Sequence, residues 1–217
     1  MSASEVSGST PLTRAAIARK AWPIILANAS VPLLGLVDTA VIGRYGSTAD
    51  LGALALGALL FNFVYWSFGF LRMATTGFVA QAAGAGDEAE VRAALARPLL
   101  LGAGLGVAIW LLQWPLVAGY FALMDASAAV AGTGADYFAA RVWGAPAALA
   151  LYALCGALVG LGRSRTLLAV QLLLNGLNAA LDVYLAGVLD LGARGIGYGT
   201  AIAGGTTCLG AGGGGGG

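Results

Sequence analysis

The chain has 217 residues, of which 59% are hydrophobic and only 10% charged, and its mean hydropathy is +0.85. Soluble domains carry about 25% charged residues, so this composition excludes an ordinary water-soluble globule and indicates an integral membrane protein. A net charge of +1 without a basic cluster argues against nucleic-acid binding, and the absence of histidine removes the commonest metal ligand and general base.

Residues 1–20, MSASEVSGSTPLTRAAIARK, read as a polar leader. They lack a short apolar core followed by a small-residue cleavage site, so the first apolar stretch is expected to be a retained span and not a signal peptide. Six stretches are long enough to cross a hydrocarbon core, which takes about 20 helical residues. They fall near 21–43, 51–82, 94–119, 128–161, 166–189 and 193–212. In lipid each segment must close its own backbone hydrogen bonds, so the expected fold is an all-α, six-helix transmembrane bundle spanning 21–203. Residues 204–217, GGTTCLGAGGGGGG, form an atypical Gly-rich tail that matches no functional motif, and a truncated or frameshifted reading frame is expected there.

Positive charge indicates orientation. With the N-terminus inside, Arg14, Arg19, Lys20, Arg92, Arg97, Arg163 and Arg165 fall on the inner side, and only Arg44 and Arg194 on the outer. That asymmetry favours a cytoplasmic N-terminus in the cell (inner or plasma) membrane. Arg72 and Arg141 fall within spans, where each is either a substrate or ion-pair residue or a protein-facing, snorkelling arginine. Cys155 and Cys208 belong to no CxxC or metal-ligating pattern and read as small packing residues.

The chemistry lies in the acids. Asp38 sits in the first span; Asn175, Asn178 and Asp182 sit at i, i+3 and i+7 in the fifth, on one helix face. Intramembrane carboxylates cost roughly 2.5–3.5 kcal/mol each on insertion scales and are functional by default. Asp38 lies 17 residues after Ala21 and Asp182 lies 16 after Thr166, so both should stand roughly 25 Å up from the inner face. Thr200, entering from the outer side, reaches a similar depth. The three meet if helices one, five and six are neighbours. Two nearby carboxylates in a low-dielectric cavity cannot both stay charged without a counter-ion, so a shared cation or proton site is expected. Pro23 and Pro32 remove backbone donors from helix one, as a static kink or as a bend that responds to Asp38.

Several separate stretches together resemble the multidrug and toxic compound extrusion (MATE) transporters, and within them the DinF-like branch. They are ANASVPLLGLVDTAVIGRYG at 27–46, GFLRMATTGFVAQAAGAGD at 69–87, DYFAARVWGAPAALA at 136–150, NGLNAALDVYLAGVLDLG at 175–192 and GIGYGTAIA at 195–203. The resemblance implies antiport, a substrate leaving as H+ or Na+ enters, with no other cofactor. It implies twelve helices in two lobes, of which this chain corresponds to the first. It further implies a cation site at Asp38, Asn178, Asp182 and Thr200, a cavity-lining Tyr137 beside Asn175, and a bending proline at Pro23. The expected partners are a small organic substrate, cationic or neutral, membrane lipid, and either the missing C-terminal lobe or a second copy. The chain departs from the family pattern at Leu151 and Tyr152, where a polar group often follows the helix-four proline, and at Gly204, where an acid is common.

Other readings compete with this one. A half-size transporter would work as a homodimer, and an inert fragment would not transport. An intramembrane protease would need Asp38 and Asp182 as an aspartyl dyad, since the missing histidine excludes the Ser–His and HExxH types. In a purely structural role the acids would only hold helices together.

Overall fold

A computed structural model describes residues 14–213, and among them every regular element is helical. The first span is α1, Arg14–Tyr45, which starts inside the stretch expected to be a polar leader; residues 1–13 lie outside the described residues. Pro23 and Pro32 are both accommodated within it without a break in the helix.

The expected second, third and fourth spans are each interrupted, and in two of them proline marks the interruption. The second divides into α2 (Thr48–Ser67) and α3 (Phe70–Gly84) at Phe68–Gly69, where the Phe68 and Gly69 amides fold back onto the Tyr65 and Trp66 carbonyls. The third divides into α4 (Glu88–Leu111) and α5 (Gln113–Leu123). Pro115 cannot donate to the residue-111 carbonyl and its ring crowds it, so α4 cannot continue in register. The fourth divides into α6 (Ala128–Arg141), a 3₁₀ turn at Val142–Gly144, and α7 (Ala145–Gly160). Pro146 lies in the first turn of α7, where its missing N–H leaves no bond unmade.

Starts are capped locally. Ser47 and Asp50 form a reciprocal capping box on α2, and Asp87 accepts from the Glu90 amide at the head of α4. The turn before α4 passes through Gly86 at φ +72°, a left-handed conformation that a side chain would strain.

The fifth span is α8 (Ser164–Asp182), continued by a π-helical turn at Val183–Val188. The sixth is α9, Gly192–Gly213, close to the expected 193–212, so the helix runs on into the Gly-rich tail; residues 214–217 lie outside the described residues. Five helical stretches are long and apolar enough to cross a membrane: 17–45, 48–84, 88–111, 128–160 and 164–188. The sixth expected span is long enough, but glycine dilutes its hydropathy below the others.

Helix α7 is the central pillar, packed against α3, α4 and α9, while α8 lies between α1 and α9, and α6 between α2 and α9. Small residues set these distances. A side chain at Gly102 or Gly106 of α4 would strike the α7 backbone at Leu149 or Pro146, and one at Gly156 or Gly160 would strike the α3 backbone at Arg72 or Thr76. Where hydrophobicity does not separate helix from lipid, such close backbone approach supplies the packing. Thr76 Oγ1 uses it to donate to the Gly156 carbonyl at 3.0 Å.

Candidate cation site between α1, α8 and α9

The α1–α8 and α8–α9 contacts bring together four residues far apart in sequence. Asp38 projects from the C-terminal part of α1 and is 7% exposed; Asp182, the last residue of α8, is fully buried. Their carboxyl groups lie close enough to interact with each other. Asn178, one turn before Asp182, bridges to α9. Its NH2 donates to Asp182 Oδ2 at 3.1 Å while its carbonyl accepts from Thr200 Oγ1 at 3.1 Å. Asp38 Oδ1 is buried and has no hydrogen-bond partner. Burying such an acceptor unpaired is costly, so the site presents one carboxylate oxygen with unfilled capacity beside several satisfied ones.

A tyrosine and an arginine complete the surroundings. Tyr137 of α6 is fully buried, with Phe61 edge-on to its ring at a centroid distance of 6.1 Å. Arg141, one turn later, donates to the Tyr137 hydroxyl and holds its guanidinium carbon 4.6 Å above the Phe61 ring. Its charge reaches both carboxylates, yet it ion-pairs with neither: the ion pairs among the described residues are Glu88–Arg92 and Glu90–Arg97 on α4. The cluster therefore counts two acids against one fixed cation, with neutral oxygens from Asn178 and Thr200 between them. A proton or a small monovalent cation would complete that balance.

The other residues singled out in the sequence are placed elsewhere. Asn175 shares the α8 stripe, but its amide nitrogen donates to the Ser30 carbonyl of α1 at 3.1 Å, where it acts as a helix-to-helix tie; its Oδ1 is buried without a partner. Pro23 is fifteen residues before Asp38, roughly 22 Å away along the helix, and so touches no part of the acid cluster directly. Arg72 hydrogen-bonds to Asn28 Oδ1 at 3.2 Å, joining α3 to α1. Cys155 is buried and Cys208 partly so, and both are free thiols.

Two determinants of the site had no signal in isolation. A Cβ at Gly199 would collide with Asp182 Oδ1, and one at Gly57 would lie 2.5 Å from the Tyr137 ring. The alternating glycines of Gly195-Ile-Gly197-Tyr-Gly199 put Gly195 and Gly199 on one side of the helix and Gly197 on the other, and could have been read as close approach on two sides. What each side approaches is set by other helices.

Comparison with known proteins gives a consistent picture. The MatE family model matches residues 23–184. The chain is 40% identical over 183 residues to DNA damage-inducible protein F of Escherichia coli, covering 84% of this chain and 40% of that one. It is 32% identical over 184 residues to a probable multidrug resistance protein NorM of Neisseria meningitidis, covering 83% and 40%. A solved MOP-superfamily transporter from Pyrococcus furiosus superposes with a TM-score of 0.82 at 24% identity, over 90% of this chain and 43% of that one, which shows the shared fold. The chain thus spans about 40% of the length of the curated relatives it matches.

Proposed function

This chain belongs to the MatE family of integral membrane transporters, which are not enzymes, and from that premise we propose that it forms the N-terminal lobe of a secondary exporter of small organic molecules. Export is driven by inward movement of H+ or Na+ through the Asp38–Asp182 cluster. The observation that carries this reading is the pairing of two buried carboxyls from different helices, with Asp38 Oδ1 unpartnered.

In this scheme a proton or Na+ binds between Asp38 and Asp182. Asn178 and Thr200 contribute neutral oxygens, and Asp182 is held by the Asn178 amide. A cationic substrate competes for the same negative charge, so binding of one favours release of the other, and exchange follows. The bending of α1 near Pro23 then carries the change at Asp38 along the helix. We place the lobe in the inner or plasma membrane with its N-terminus in the cytoplasm, on the strength of the charge asymmetry of its loops. Its transport partner is a C-terminal lobe or a second copy of this chain.

The test is dye efflux from drug-sensitive cells, with the chain expressed alone and joined to a C-terminal lobe from a relative. Transport is expected in the joined form, and Asp38→Asn or Asp182→Asn should each abolish it while leaving the protein in the membrane. Wild-type efflux in either variant would sink the assignment of the cation site. Efflux by the chain alone would identify the second copy as the partner.

A further inference from the structure

Away from the acid cluster, a cavity of about 380 Å³ lies between α3 and α4. Its floor is made of small side chains, Ala74 and Thr75 from α3 and Ala94 from α4. Phe70, Phe78 and Leu101 stand up around it, each at least half exposed. On α4 the groove extends from Glu90 to Leu101, eleven residues or roughly 16 Å, the length of a lipid chain segment and not of a small solute. Pro98 lies along this wall.

One end of the groove differs from the rest. Glu90 and Arg97 both line it, and their side chains meet at 3.0 Å while remaining well exposed. This end adjoins the Gly86–Asp87 turn, where the charged residues Asp87, Glu88, Glu90 and Arg92 gather. Such a cluster marks the depth of the headgroup layer, and Arg97 reaches down toward it from further along the helix. The groove therefore has an apolar trough at hydrocarbon depth and an acid–base pair at headgroup depth.

A carboxylate and a guanidinium side by side complement a ligand that carries both charges in the opposite order. An anionic headgroup would face Glu90 unfavourably. A choline headgroup carries a positive charge but has no N–H to give the carboxylate. A primary ammonium next to a phosphate satisfies both: the ammonium donates to Glu90 while Arg97 donates to the phosphate oxygens. We propose that the α3–α4 groove is a binding site for one phospholipid with a phosphoethanolamine-type headgroup, its acyl chain lying between Phe70 and Phe78.

Native mass spectrometry of the full chain in detergent, with equal amounts of dioleoyl phosphatidylethanolamine, phosphatidylcholine and phosphatidylglycerol, tests this directly. One retained phosphatidylethanolamine is expected, with about tenfold weaker retention of the other two. Glu90→Gln and Arg97→Gln should each erase that preference; both positions are exposed, so the fold should tolerate the changes. Ala74→Trp, which fills the trough but leaves the ion pair intact, should reduce retention of all three lipids. Equal retention of the three by the wild type, a preference for phosphatidylglycerol, or a preference unchanged in Glu90→Gln and Arg97→Gln would each overturn the proposal.

Discussion

Replacing Gly199 by alanine would add one methyl group at a point that Asp182 Oδ1 already occupies. Either α9 moves away or Asp182 turns from Asn178, and overpacking of this kind costs about 1–3 kcal/mol. The Gly199→Ala protein is expected to keep its helical circular dichroism but, joined to a C-terminal lobe in the efflux test above, to lose most of the transport proposed for it; an unchanged rate would show that Asp182 does not need its present position. Arg141→Met removes the donor to the Tyr137 hydroxyl and the cation over Phe61, leaving two carboxylates without a nearby positive charge. A lower thermal midpoint in detergent is expected, by an amount corresponding to about 1–3 kcal/mol. Arg141→Lys, which retains a charge but not the planar fork, should fall between that variant and the wild type. At this scale much of the site was legible. The depths of Asp38 and Asp182 follow from counting residues along two apolar stretches, and that arithmetic needs only a helical rise. Arg141 was visible as a charge inside a span, but its hydroxyl partner and its distance from the acids depend on how α6 turns. Gly199 was invisible as a site residue because a missing side chain acquires meaning only from what stands opposite.

Asp50 shows how one residue can serve two elements. It closes the capping box on α2, accepting from the Ser47 amide and hydroxyl, and it also accepts from the Ala193 amide at the head of α9 at 3.1 Å. Gly192, at φ +54°, lies against the same carboxylate, where a Cβ would stand 2.8 Å from Asp50 Oδ1. Asp50→Ala therefore uncaps two helices at once and should cost about 1–2 kcal/mol, read as a lower unfolding midpoint. Because α9 carries Thr200 two turns further on, the same variant should weaken cation binding at the proposed site more than its effect on stability alone would give. The helices themselves were legible from their apolar length, but their interruptions were not. The break at 68–69 falls inside a stretch of nearly uniform hydrophobicity, where composition carries no boundary; those at 112 and 142–144 had Pro115 and Pro146 beside them, but apolar length alone ran across both. The π-helical turn after Asp182 likewise has no compositional mark. It packs Gly187 against the Tyr45 ring and Ala186 against Gly195, so its widened winding answers to neighbours and not to local preference.

Across the whole molecule, burial is uneven. Two-thirds of the best apolar window in 128–160 is buried within the protein, against about a quarter in the other spans. Amide hydrogen exchange in lipid nanodiscs is expected to be slowest in α7 and markedly faster in the 183–188 turn; equal protection would contradict a central pillar. Five of the six spans follow from hydropathy, whereas the glycine-rich sixth and the adjacency of α1, α8 and α9 needed the packing itself. Helix α9 carries a last consequence. Nine of its 22 residues are glycine, each costing about 1 kcal/mol of helix propensity relative to alanine, and its hydropathy is the weakest of the six spans. It has little reason to enter a bilayer or wind by itself; the grooves of α6, α7 and α8 supply that reason. During biogenesis α9 should therefore dock late, onto five spans already assembled. Thr200 would arrive with it, so the cluster around Asp38 and Asp182 would be completed as the final event of folding, and a half-made lobe would lack the oxygen that α9 brings to Asn178.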